Sequence, residues 1–145
     1  MEQQALHGRC LCGAVEYEAT GAVASLVCHC KDCQRQSGSA FSVITLFPTA
    51  TVQYRGELAT FSGRGDSGLK VDRLFCPKCG SPIVTRAEAM PGVDAIKSGT
   101  LDETSSLRPV AQIYCDREHD WVELPVAERF PLLPPLEMLG GGGPN

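Results

Sequence analysis

The sequence predicts a mostly-β domain of many short strands that metal ions stabilise, and three observations lead to this fold class. Apolar and polar residues alternate over short stretches, and glycine or proline separates these stretches at short intervals. Only two short segments have a helical pattern. Eight cysteines occur among 145 residues, and most of them stand in closely spaced groups. Such groups hold zinc in small domains, where binding of the metal supplies folding energy.

The predicted strands follow one another at short spacing. Residues 14–19 alternate as a half-buried strand does, and residues 40–47 form the most apolar run, which predicts a buried central strand closed by Pro48. Short helices are predicted over residues 31–38, ending at Gly38, and over residues 116–121. The remaining predicted strands are residues 23–28, 52–54, 59–61, 69–75, 83–85, 95–97 and 110–115.

The chain length fits one domain. We expect this zinc-binding domain to span residues 1–131. Residues 132–145 contain Pro134, Pro135 and a run of glycines, and this composition predicts a C-terminal tail.

Two cysteine pairs lie far apart in the sequence, a C-x-C pair and a C-x-x-C pair. They are Cys10 with Cys12 and Cys76 with Cys79. Four thiolates complete a tetrahedral zinc shell, which is typical of a structural site. The turn after Cys76 resembles a zinc knuckle, in which backbone N–H groups point at the cysteine sulfurs.

A second group, Cys28, Cys30 and Cys33, offers only three thiols. Three protein ligands on zinc leave one position for water or an incoming ligand, as in catalytic sites. A fourth protein group could instead close the shell, and the candidates are Cys115, His29, His119 or an acidic side chain. Alternation along an extended stretch points His29 away from the metal. Cys115 lies in an apolar strand context, which favours a small buried hydrophobic residue over a metal ligand.

Charge and hydropathy exclude several classes of function. The formal net charge of −4 gives no basic patch for nucleic acid. No run approaches the roughly 18 apolar residues that a membrane span needs, and the first residues lack a secretory signal. We therefore expect a cytoplasmic protein with reduced cysteines. The sequence leaves the oligomeric state open.

Three side chains are candidates for substrate binding. Lys31 and Arg35 follow the three-cysteine group and could bind carboxylates of an anionic ligand, although both could equally be solvated surface charges. Trp121 could form a wall of a pocket, although aromatic residues are more often part of a core.

Three segments together resemble the glutathione-dependent formaldehyde-activating enzyme family, which includes centromere protein V. The resemblance covers about residues 6–125, and all seven family cysteines have a counterpart in order and spacing. The segments are Gly8-Arg9-Cys10-Leu11-Cys12-Gly13-Ala14-Val15, Cys28-His29-Cys30-Lys31-Asp32-Cys33-Gln34-Arg35 and Phe75-Cys76-Pro77-Lys78-Cys79-Gly80.

The resemblance implies a β-tent of stacked antiparallel sheets that binds two Zn²⁺ ions. One zinc is structural and corresponds to Cys10, Cys12, Cys76 and Cys79. The other is catalytic and corresponds to Cys28, Cys30 and Cys33. The family's reaction adds the thiol of glutathione to formaldehyde, giving S-hydroxymethylglutathione, and is classed as a carbon–sulfur lyase reaction.

Two other hypotheses remain open at this stage. In a protein-binding module, both zinc ions would be structural, and a closed second site with an exposed apolar patch would favour it. In a thiol redox or metal sensor, the three-cysteine group would oxidise and release its metal.

Overall fold

The computed structural model describes residues 4–139 and contains two stacked β-sheets with two short helices. In chain order the elements are β1 Leu6–Arg9, β2 Glu16–Ala19, β3 Ala24–Cys28, α1 Lys31–Ser37, β4 Ser42–Pro48, β5 Val52–Arg55, β6 Ala59–Arg64, β7 Lys70–Phe75, β8 Pro82–Ala87, β9 Val93–Lys97, β10 Ala111–Ile113 and α2 Leu136–Leu139. The predicted fold class, mostly β with stacked sheets, is confirmed.

The strands form a three-stranded sheet in the order β1-β2-β5 and a seven-stranded sheet in the order β10-β3-β4-β9-β8-β7-β6. The pairs within both sheets are antiparallel except that β10 lies parallel to β3. This parallel pair departs from the expected purely antiparallel sheets, and it requires the long connection between β3 and β10.

Two apolar clusters occupy the two faces of the larger sheet. The first contains Val15 and Tyr17 from the smaller sheet's side together with Phe47, Ile83 and Ile96 from the larger sheet, so it lies between the sheets. The second contains Leu26, Ile44, Ala95, Ile113 and Leu139. Alternation along each strand assigns successive residues to opposite faces, which is why neighbours such as Ala95 and Ile96 belong to different clusters.

Helix α1 begins directly at the three-cysteine group. The Cys30 side chain caps it by accepting a hydrogen bond from the backbone N–H of Cys33, and Gly38 ends it in the left-handed conformation. This matches the predicted helix and its stop at Gly38.

The helix predicted over residues 116–121 is wrong. Cys115–Arg117 form a single 3-10 turn, and the backbone is extended again at Glu118. The N–H of Cys115 donates to the carbonyl oxygen of Phe130 instead of joining a helix. Pairing with the C-terminal segment therefore overrides the weak local helical pattern.

The sequence did not indicate β1, a four-residue strand, or α2. The described part of the predicted tail packs on the protein through Leu133, Leu136 and Leu139. The boundary between residues 131 and 132 stays a prediction, and the glycine run from residue 140 lies outside the described residues. Within residues 4–139, no helix is long and apolar enough to cross a membrane.

Candidate metal centres

Four cysteine sulfurs from two distant turns meet in one group. Cys10 and Cys12 lie between β1 and β2, and Cys76 and Cys79 lie between β7 and β8. The Sγ of Cys12 is 3.7 Å from that of Cys10 and 3.8 Å from that of Cys76. Two sulfurs at about 2.3 Å from a tetrahedral zinc lie about 3.8 Å apart, whereas a disulfide needs about 2.05 Å. The donor set and its spacing therefore fit a metal ion.

Donors from the backbone and from one hydroxyl group lie beside three of these four sulfurs. The backbone N–H groups of Val15 and Lys78 point at the sulfurs of Cys10 and Cys76, each at 3.3 Å. Ser81 lies 3.2 Å from the sulfur of Cys79, and its hydroxyl is the main cause that lowers the pKa of this thiol to about 5. The expected zinc-knuckle hydrogen bonding is present, and it favours the ligand form of the cysteines.

The second group lies at the end of β3 and the start of α1. Cys28 is the last residue of β3, Cys30 caps α1, and Cys33 lies in its first turn. The three sulfurs lie within 4.8 Å of one another. Among residues 4–139, no fourth histidine, cysteine or acidic ligand atom lies within that distance of all three. The group could hold an ion with three protein ligands.

Of the three thiols in this group, Cys33 has the lowest pKa. Hydrogen bonding with Cys28 and Cys30 lowers the pKa of Cys33 to about 2, and the positive charges of Lys97 and Arg73 lower it further. The same hydrogen bonds and burial raise the pKa of Cys28. Burial lowers the pKa of Lys97, while the Cys33 thiolate opposes that shift.

The side chain of His29 points away from the three sulfurs, as the alternation argument predicts. It is fully buried, lies 5.7 Å from the ring of Phe41, and is 2.8 Å from Gln112 through Nε2. Because the amide nitrogen of Gln112 donates to the carbonyl of Val126, its Oε1 accepts a hydrogen bond from His29. Nε2 of His29 therefore carries a proton.

The sequence did not indicate a third group, His29 with Cys115 and Glu118. It forms because the parallel pairing of β10 with β3 places Ile113 opposite Cys28. Nε2 of His29 is hydrogen-bonded to Gln112, and one carboxylate oxygen of Glu118 is paired with Arg129 at 2.6 Å, so two of the three groups already have protein partners. We therefore assign no metal to this group. Cys115 lies here and not with the three cysteines.

A small cavity of about 100 Å³ lies beside the three-cysteine group. Its lining follows from strand pairing, because residues that pair across a sheet share a face. Lys97 pairs with Ile44, Thr85 pairs with both Ala95 and Arg73, and Cys28 pairs with Ile113. All of these residues line the cavity.

The hairpin between β6 and β7 and the residue after β10 also border this cavity. Asp66 of the hairpin forms an ion pair of 2.8 Å with Arg117. Tyr114 has a φ of 56°, and it is the one non-glycine residue among residues 4–139 with a positive φ. A bulky residue in this conformation is strained, and such strain is common at functional sites.

A larger groove of about 670 Å³ adjoins the cavity, and Asp32, Val71 and Arg73 line both spaces. Arg35 and Arg64 also line the groove, and the side chain of Phe61 is 64% exposed there. Three guanidinium groups, one carboxylate and two phenylalanine side chains line the groove, and this excess of positive charge suits an anionic organic ligand.

The three side chains predicted to bind substrate have different positions. Arg35 lines the groove. Lys31 is exposed and lines neither the groove nor the cavity. Trp121 is 74% exposed and stacks on His119 at 5.2 Å, and His119 in turn is 3.0 Å from Gln34 on α1. A role in substrate binding stays a prediction for all three.

Lys97, Arg73 and Thr85 are cavity residues that sequence analysis missed. A usable signal existed for Lys97, since it directly follows the apolar residues Ala95 and Ile96 in β9, and a lysine is rarely fully buried without a partner. Arg73 and Thr85 required the strand register, which the sequence does not specify locally.

Comparisons with known proteins agree with this architecture. A sequence model of the glutathione-dependent formaldehyde-activating enzyme family matches residues 5–117. A crystal structure of a Rhodobacter sphaeroides protein, determined as a structural-genomics target, superposes with a TM-score of 0.55 at 20% sequence identity. The match covers 66% of this chain and 87% of that one, and it supports the fold alone. A search of curated proteins found no match.

Proposed function

The chain belongs to the glutathione-dependent formaldehyde-activating enzyme family, and we propose that it is a zinc-dependent carbon–sulfur lyase that joins an anionic thiol to a small aldehyde. Glutathione and formaldehyde are the proposed pair. The observation that carries the proposal is the group of Cys28, Cys30 and Cys33, which has three sulfur ligands and a cavity beside it.

Zinc at these three cysteines would lower the pKa of a thiol that enters the open position. The protein's own residues then determine what reaches that position. The cavity admits a group of only a few atoms, such as a thiol and a small aldehyde. The arginine-lined groove next to it accommodates the charged remainder of the thiol.

Carboxylates of glutathione are the proposed partners of Arg35, Arg64 and Arg73. Guanidinium groups bind carboxylates through charge-assisted hydrogen bonds. The groove adjoins the cavity, and in this proposal one molecule places its sulfur beside the cysteines and its carboxylates beside the arginines. Lys31 and Trp121 would contact the substrate only at the exposed rim. All eight cysteines are free thiols, and a cytoplasmic location, which keeps thiols reduced, is part of this proposal.

The experiment measures the rate at which glutathione and formaldehyde interconvert with S-hydroxymethylglutathione, by exchange NMR with zinc-loaded protein. We expect the wild type to accelerate the exchange and Cys30→Ser to abolish the acceleration. Serine also caps helices well, so this substitution removes a metal ligand while preserving α1. No acceleration by the wild type would reject this substrate pair.

A second measurement tests the groove. We expect Arg35→Ala to raise the KM for glutathione about fivefold, because one partly exposed charge contact contributes about 1 kcal/mol. The KM for cysteamine, a thiol without carboxylates, should not change. Arg108→Ala is the control, since Arg108 is exposed and lines neither space. An equal effect of Arg35→Ala on both thiols would contradict carboxylate binding there.

The protein-binding module and the thiol sensor remain alternative hypotheses. A structural role for both metals would leave the chain with two ions that no thiol displaces. A sensor would lose its second ion reversibly under mild peroxide.

A further inference from the structure

The side chain of Gln34 lies between the three-cysteine group and the segment that follows β10. Gln34 is on α1, directly after Cys33, and is 8% exposed. Its amide nitrogen donates to the carbonyl oxygen of His29 at 2.9 Å and to that of Arg117 at 3.2 Å. Its amide oxygen is 3.0 Å from Nε2 of His119. Three hydrogen bonds therefore connect this one side chain to two other segments of the chain.

The orientation of this amide group follows from its partners. A backbone carbonyl oxygen only accepts hydrogen bonds, so the amide nitrogen of Gln34 must face His29 and Arg117. The amide oxygen then faces His119, whose Nε2 donates to it. An amide group has two N–H donors, and both are used here. The Gln34 side chain is thus held in one orientation.

The carbonyl group of His29 belongs to the peptide bond that joins His29 to Cys30. His29 is the single residue between Cys28, which ends β3, and Cys30, which caps α1. The backbone N–H of His29 donates to the carbonyl oxygen of Ile113 at 3.1 Å. Gln34 binds the opposite side of the same residue. Both peptide groups between the two cysteines are therefore held by hydrogen bonds, and they set how far apart the two sulfurs lie.

The three-cysteine group needs such support because its ligands belong to two elements with one linking residue. Groups outside the ligand shell that orient metal ligands typically change metal affinity by about 10- to 100-fold. The side-chain hydrogen bonds of Gln34 go to His29, Arg117 and His119, and none of these residues belongs to the four-cysteine group. Any effect of Gln34 on metal binding should therefore be confined to one of the two sites.

We propose that Gln34 is a positioning residue of the three-cysteine metal site, which holds Cys28 and Cys30 at the spacing that suits Zn²⁺. Gln34 acts through the backbone of His29 and contacts neither metal nor substrate. The inference rests on metal binding by the three cysteines, which is part of the proposed function, and it does not depend on the substrates. It also gives a reason for the burial of a glutamine, a residue that is mostly exposed in proteins.

Competition for zinc with a coloured chelator measures the affinity of each site. Gln34→Met keeps the length of the side chain and removes both N–H donors. We expect it to weaken zinc binding at the three-cysteine group about tenfold or more, within the range for groups that orient metal ligands. Cys30→Ser is expected to retain only the four-cysteine site. In that background, Gln34→Met should leave the zinc affinity unchanged.

Two controls separate positioning from a general loss of stability. Gln53→Met makes the same chemical change at an exposed position of β5. Ser25→Ala removes a buried hydrogen bond of 2.9 Å to Thr45, and Ser25 lies on the face of β3 opposite Cys28. Both variants should bind zinc at both sites as the wild type does. An equal loss in Ser25→Ala would mean that any destabilisation of β3 weakens the metal site, and this result would overturn the specific role of Gln34.

The visible spectrum of Co²⁺ bound in place of Zn²⁺ depends on the arrangement of its ligands. Gln34→Met should therefore alter the part of the Co²⁺ spectrum that Cys30→Ser removes. Gln34→Glu serves as a second variant if Gln34→Met does not fold, since it keeps the side-chain length and an acceptor for His119 but places a carboxylate against the two carbonyl groups. Its added negative charge attracts Zn²⁺, so weaker zinc binding in this variant would not be an effect of charge.

The outcomes separate this inference from the proposed function. One zinc ion per wild-type chain would reject both. Zinc binding that depends on Gln34, in a protein that does not accelerate the glutathione reaction, would reject the proposed substrates and leave the positioning role standing. Wild-type zinc affinity at both sites in every folded Gln34 variant would overturn the positioning role, whatever the turnover. An unchanged circular dichroism spectrum establishes that a variant is folded.

Discussion

Gly8 lies in β1 at a point where the backbone closely approaches two neighbouring segments. A β-carbon at this position would come within 2.3 Å of the Tyr17 ring and hydroxyl group and within 2.5 Å of the carbonyl oxygen of Thr100. The Thr100 contact involves backbone, which cannot rotate away as a side chain can. A bridge between Gly8 and Leu101 runs through the same place, so glycine is required by space and not by a turn.

We expect Gly8→Ala to lower the free energy of unfolding by about 1–3 kcal/mol, the usual cost of forcing extra volume into a packed site. Gly99→Ala is the matched control, because nothing lies within 4 Å of a β-carbon there. Urea unfolding of the zinc-loaded proteins measures both. Equal stabilities for the two variants would contradict the close approach at Gly8.

Asp94 connects elements of both sheets. It lies in β9 of the larger sheet and is completely buried, and it accepts hydrogen bonds from Tyr54 of β5 at 2.7 Å and from Thr49 at 2.7 Å. Arg86 of β8 binds it in a bidentate pair at 2.9 and 3.1 Å. Burial alone would raise the pKa of Asp94, but the hydrogen bonds from Arg86, Tyr54 and Thr49 outweigh it, so the pKa is lowered.

We expect Asp94→Asn to lower the free energy of unfolding by about 2 kcal/mol at pH 7, in the range for buried hydrogen bonds to a charged group. A carboxylate whose pKa is lower in the folded state stabilises the fold above its unfolded pKa, and this contribution is lost as the pH falls through the folded value. The difference in unfolding free energy between Asp94→Asn and the wild type should therefore shrink below about pH 4.

Urea unfolding as a function of pH measures this difference, and Glu16→Gln is its control. Glu16 pairs with Arg55 at 3.0 Å, but both side chains are largely exposed, so its loss should cost less than about 1 kcal/mol. A difference between Asp94→Asn and wild type that is the same at pH 3 and pH 7 would show that the charge of Asp94 does not stabilise the fold.

At the scale of the whole molecule, the sequence predicted the strand-rich fold and the two cysteine groups. Metal geometry makes cysteine spacing informative, so Cys10, Cys12, Cys76 and Cys79 could be grouped across the chain. The sequence did not reveal that β10 runs parallel to β3, because strand register depends on contacts between distant segments. The third group around His29 follows from that register, and the cavity wall of Lys97 and Thr85 follows from the pairing of β9 with β4 and β8. The sequence does not specify either pairing.

The two cysteine groups differ in how much of the molecule they hold together. The four-cysteine group links the turn after β1 in the smaller sheet to the turn after β7 in the larger one, and Cys12 and Cys76 are 64 residues apart. The three-cysteine group joins only the end of β3 to the adjacent α1. Closure of a long loop removes more chain entropy than closure of a short one. Loss of the first metal should therefore affect the whole fold, and loss of the second only its immediate surroundings.

Substitution of one cysteine in each group tests this difference between the two metal sites. Cys12 is exposed and Cys30 is partly exposed, so serine at either position removes little packing. We expect two zinc ions per wild-type chain by elemental analysis. Cys12→Ser should lose one ion and lower Tm by more than about 10 °C, because metal-binding energy is folding energy and 1 kcal/mol shifts Tm by about 2–4 °C at this size. Cys30→Ser should also lose one ion, yet its Tm should stay within about 4 °C of the wild type, as its helix cap is retained. Equal losses of Tm in the two variants would mean that the three-cysteine group also holds the fold together. That result would contradict the hypothesis that this group is an open metal site.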